Sequence, residues 1–112
     1  MTVIFSMCVL GFGLLVTPAW AADAKAEIDF VTRASIGHLF AIEESQLAIS
    51  RADDPNIRAF AQQLVEDHQK AAAALESAAD GSGAAVATAL DADHQARVTT
   101  LQSKSGADFD KA

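Results

Sequence analysis

The strongest constraint on this chain is a pair of long segments nearly free of helix breakers, separated by Asp53-Asp54-Pro55. In residues 23–52, DAKAEIDFVTRASIGHLFAIEESQLAISRA, the side chains of Ile28, Val31, Ser35, Leu39, Ile42 and Ile49 recur on one helical stripe. Ile36, Phe40, Glu43 and Leu47 make a neighbouring stripe, and two adjacent stripes give the wide apolar face that a bundle helix needs. Asp23 is placed to cap the first turn, and Glu27 puts negative charge near the positive end of the helix dipole. Gly37 weakens the helix locally and also lets a neighbour approach closely.

The second segment begins on strong signals. Asp54 suits an N-cap and Pro55 suits the first helical position, where its missing N–H has no intrahelical partner to lose. From Pro55 to about Ala79 the stripe is Ile57, Phe60, Ala61, Leu64, His68, Ala71, Leu75 and Ala78. So short a connection forces the two helices antiparallel. Leu64 is expected at the centre of their contact.

Residues 80–90, DGSGAAVATAL, read as a flexible connection, with Asp80-Gly81 and Gly83 marking the break. A third helix is predicted from about Asp91 to Lys104, carrying Leu90, His94, Val98 and Leu101 on one face, and Ser105-Gly106 ends it. GADFDKA then starts a further helix that stops within two turns. So short an end is expected to bury little, as a truncated final helix would. No alternating β-branched run argues for a strand. The fold class is therefore all-α, an antiparallel helical bundle.

The charges divide the chain in two. Residues 1–22 carry no charged side chain, so all 15 acids and 8 bases follow, with a net charge of -7. VIFSMCVLGFGLLV at 3–16 suits the apolar region of a signal peptide, Pro18 breaks it, and Ala19-Trp20-Ala21 supplies a small-x-small cleavage pattern. The expected organisation is a signal peptide at 1–21 and a helical domain at 22–112, with a periplasmic or secreted product. The rival is an uncleaved leader acting as an inner-membrane anchor, since about 20 apolar residues can span a bilayer. No Lys or Arg precedes the apolar run, which is unusual for either. Cys8 is the one cysteine and lies in the leader. The exported part then has no disulfide, no thiol nucleophile and no thiol ligand, and helix packing alone must hold it. The acidic balance argues against nucleic acid, whose phosphates need clustered Lys and Arg, and against an electrostatic grip on anionic lipid. Contact with a membrane is expected only through the leader.

Three stretches, DFVTRASIGHLFAIEESQLA (29–48), NIRAFAQQLVEDHQKAAAAL (56–75) and DADHQARVTTLQSKSGADFDKA (91–112), resemble, in order, the exported bacterial family called domain of unknown function 4142. The resemblance implies a ferritin-like helical bundle after a signal peptide, and no established reaction. The resemblance also implies a further long helix after Phe109-Asp110, so the domain is expected to be truncated before it, and Ala41 stands where many relatives have an acid.

Few residues could carry chemistry. Ferritin-like metal sites use inward Glu and Glu-x-x-His motifs, because i and i+3 share a helix face. Here Val65 stands three before His68, so the motif is absent. Pairing the helices about Asp53-Asp54 brings residue 43 level with about residue 64 and leaves His68 about one turn, 5–6 Å, along the axis. Glu43 and His68 are thus the candidate metal ligands, or else a structural polar pair in which the histidine satisfies a buried acid. Two such ligands fall short of the four that zinc takes in structural sites and the three or more of non-haem iron. His94 reads as a boundary histidine or cap contact, and His38 as partly exposed beside Gly37. No Ser-His-Asp or Cys-His set can be assembled, and Gly81-Ser82-Gly83 is a linker rather than a phosphate cradle.

The expectation is a non-enzymatic, cofactor-free envelope protein that binds a protein partner or serves in stress. The alternatives are a ferritin-like iron or manganese protein using Glu43 and His68, and a membrane-tethered helical protein.

Overall fold

The structure, a computed structural model, describes residues 19–112, with side chains described from residue 23. The segment read as the apolar part of a signal peptide, up to Pro18, lies outside the described residues. Four helices follow in order: α1 (Ala19–Arg51), α2 (Pro55–Ala79), α3 (Ala92–Gln102) and α4 (Ala107–Asp110). Among the described residues there is no strand, so the chain is all-α as its periodicity predicts. α1 packs along α2 and also touches α3 and α4.

α1 starts four residues before Asp23, so Asp23 sits inside the helix and caps nothing. The run Ala19-Trp20-Ala21-Ala22 has no breaker, and alanine is the best helix former. The break after Arg51 is where the sequence places it. Asp54, in an extended conformation, accepts the Asn56 backbone N–H at 2.7 Å and Pro55 opens α2. Arg58 closes the turn from the other side by donating to the carbonyls of Ala52 and Asp53 at 2.7 and 2.8 Å.

Small side chains form the α1–α2 contact. Val31, Ser35 and Ser45 on α1, Ala52 just beyond its end, and Ala61 and Ala79 on α2 are buried, while Leu39, Ile42, Leu64 and Leu75 are half-buried. Leu64, expected to be buried at the centre, is only half-buried, and the fully buried residue near it is Ala61, 3 % exposed. Small residues let two backbones approach closely, and a leucine at the same point would hold them apart. Most of the predicted α2 stripe turns inward, with Ile57, Ala61, Leu64, His68, Ala71 and Leu75 buried or half-buried, and it differs at two positions. Phe60 is 61 % exposed, and Ala79 rather than Ala78 turns inward.

Two segments expected to be loose are tied down. The connection 80–91 runs back over α1, where the Ser35 hydroxyl accepts the Ala87 N–H at 2.8 Å and donates to the Thr32 carbonyl at 2.9 Å. α4 buries Phe109 to 8 % exposure, contrary to the expectation that so short a helix buries little. Its Asp110 carboxylate accepts the backbone N–H groups of Asp53 and Asp54 at 3.1 and 3.0 Å, and the Gly106 N–H donates to the Arg51 carbonyl at 2.8 Å. α3 adds Val98, at 1 % exposure the most deeply buried of the described side chains.

Candidate functional site: a histidine pair across the helix hairpin

The antiparallel register fixes which side chains meet. About the turn at residue 53, His38 on α1 stands level with His68 on α2. Their Nδ1 atoms are 3.0 Å apart and their ring centroids 5.3 Å, with the planes inclined at 57°. At that separation one Nδ1 carries a hydrogen and donates, while the other offers its lone pair. Both rings are half-buried. The register inferred from the sequence is right to within one residue. Applied to His68, it points to position 38 or 39 rather than to 43.

His68 therefore has His38 as its hydrogen-bond partner, and Glu43 makes no hydrogen bond or ion pair among the described residues. Glu43 is five residues from His38, about 7.5 Å along α1 and well round the helix. The acid within electrostatic reach of His68 is Glu44. Burial pushes its carboxyl above the usual value of 4.5, and the nearby His68 and His94 oppose that shift. Among the described residues no group of three or more His, Cys, Asp or Glu side chains is arranged to hold a metal ion.

His94 has the role the sequence suggests, with an addition. Asp91 caps α3 by accepting the His94 backbone N–H at 2.9 Å, and the His94 Nδ1 stands 2.7 Å from the same oxygen. Those two contacts, the backbone bond first, hold the Asp91 carboxyl below its usual 3.8. The ring also meets Phe40 edge-on, with centroids 4.9 Å apart, which docks the start of α3 on α1.

A second feature is invisible in the linear stripes. Where the four helices converge, Ala48, Ile57, Phe60, Leu64, Leu101 and Phe109 line an apolar groove of about 220 Å³, with Glu44 as its charged wall. Ser45 is 3 % exposed on the same lining, and its hydroxyl has no hydrogen-bond partner among the described residues.

These features define an all-α protein built on one antiparallel helix hairpin, with a shorter helix and a terminal turn folded across it. The family described as domain of unknown function (DUF4142) matches residues 16–112, and the chain belongs to that family. No curated protein and no solved structure matches the chain.

Proposed function

We propose that this is an exported, non-catalytic helical-bundle protein of the cell envelope that binds a partner protein through the groove between its helices. The uncharged leader ending in Ala19-Trp20-Ala21 supports export. The observation that carries the binding role is Phe60. A large aromatic side chain 61 % exposed on an apolar groove wall is surface that water disfavours and a partner covers. The groove lies among helices, so its occupant is an amphipathic helix, whose i, i+3, i+4 anchors fit such a surface. The chain's net charge of -7 and the Glu44 wall select a helix with basic flanks.

A photo-crosslinking residue at position 60, introduced into the full chain in exporting cells, tests the reading. Position 62, about 200° round α2, is the control. An adduct at 60 and not at 62, with a protein whose crosslinked segment is a basic amphipathic helix, is expected. Equal labelling at both positions, no adduct at either, or an adduct of twice the chain's own mass would overturn it. N-terminal sequencing of the exported form should start at Ala22. A product retaining Met1 in the membrane fraction would instead favour the tethered alternative.

A further inference from the structure

We propose that His38 and His68 form a two-imidazole chelate for copper(II) across the α1–α2 interface, a role independent of the groove and of any partner held there. The argument is geometric. Imidazole nitrogens bind first-row metals at about 2.0–2.1 Å, so an ion at that distance from two nitrogens 3.0 Å apart sees them at about 91–97°. That is the angle between neighbouring ligands in a square-planar or tetragonal complex, the arrangement copper(II) and nickel(II) prefer.

Ligand number points the same way. Among the described residues no third His, Cys, Asp or Glu joins the pair, so water fills the remaining positions. With two protein ligands, affinity follows the Irving–Williams order, and copper(II) stands at its top. Manganese and iron(II), which rank far lower, are expected to pass it by. Glu44 lies within electrostatic reach of His68 and favours a cation there without entering the coordination sphere.

Binding needs only local change. In the metal-free pair the two Nδ1 atoms face each other, sharing one hydrogen. Ring rotation turns both lone pairs toward a point off the line between them, where the ion sits at the usual metal–imidazole distance. The ring that held its hydrogen on Nδ1 moves it to Nε2 by exchange with water. Both imidazoles stay neutral, and the bonds formed are two Nδ1–copper bonds in place of one N–H···N bond.

The test titrates the full exported chain with copper(II), following the electron paramagnetic resonance spectrum and the thermal unfolding midpoint. One equivalent of tetragonal copper with two-nitrogen hyperfine coupling and a raised midpoint is expected. His38→Asn and His68→Asn, checked for helix content by circular dichroism, should each weaken copper binding at least tenfold, whereas His94→Asn should not. Zinc and manganese should leave the midpoint nearly unchanged. One-nitrogen or nitrogen-free coupling in the unmodified protein would overturn the proposal whatever the variants do. So would unchanged copper affinity in a folded His38→Asn chain.

Discussion

The Asp110 carboxylate and the Asp54 backbone N–H form a 3.0 Å hydrogen bond that joins α4 to the turn between the two long helices, and Asp53 adds a second N–H to the same carboxylate. Bonds from backbone N–H groups to a charged acceptor are worth roughly 1.5–3 kcal/mol when shielded from water, and less at an exposed rim. Asp110→Ala should therefore cost about 1–3 kcal/mol. Asp110→Asn, which keeps one acceptor oxygen, should cost less. Urea denaturation of the two variants beside the parent chain measures both. Equal stability of all three would show that the clamp is not formed in solution.

Gly106 is the hinge of the same clamp. Its φ of +58° is a backbone conformation that side chains rarely adopt, and an added Cβ would come 2.9 Å from the Asp53 Oδ2. Gly106→Ala is expected to cost about 1–3 kcal/mol. Asp53→Ala removes the steric part, so the double variant should lose less than the sum of the two single changes. Strict additivity in that cycle would leave backbone strain as the whole effect.

Ser35 holds the connection between α2 and α3. Removing its hydroxyl strands the Ala87 N–H in a half-buried place, at a cost of about 1–3 kcal/mol. Ser35→Ala should also speed hydrogen exchange at Ala87 selectively. Unchanged exchange there would mean that the connection is held by other contacts, such as those of Val86.

Two carboxyls predict opposite pH dependences. Burial raises Glu44 above 4.5, so the folded chain holds that proton more tightly than the unfolded chain. The resulting stability is fully present below pH 4.5 and is lost as pH rises through the raised value. Glu44→Gln should therefore raise the urea midpoint at neutral pH and change it little in acid. Asp91 is lowered below 3.8 by the His94 backbone N–H and ring, so its contribution is present above 3.8 and lost as pH falls through the lowered value. Asp91→Ala should destabilise α3 at neutral pH, by a margin that narrows in acid. Denaturation midpoints across pH 2–8 for the two variants check both signs. A Glu44→Gln chain weaker than its parent at pH 7 would contradict the burial of that carboxyl.

What the sequence determines here is local and periodic. Long apolar stripes without breakers make α1 and α2, Asp54-Pro55 starts α2 at the residue expected, Asp91 caps α3, and a short connection, Ala52 to Asp54, makes the hairpin antiparallel. Each of these follows from backbone and capping chemistry within a few residues of chain. Rotation about a helix axis is different, because neighbouring stripes of α1 are almost equally apolar. Only packing decides that Ala61 rather than Leu64 is fully buried, that Phe60 is left on a groove wall, and that His68 meets His38 instead of Glu43. At the level of sequence the hairpin register serves only to set Glu43 near His68, and register alone cannot say which way a ring turns. The clamp at Asp110 and the anchor at Ser35 were hidden for a further reason. Each joins a polar side chain to backbone N–H groups more than fifty residues away, and no periodic pattern records such a bond.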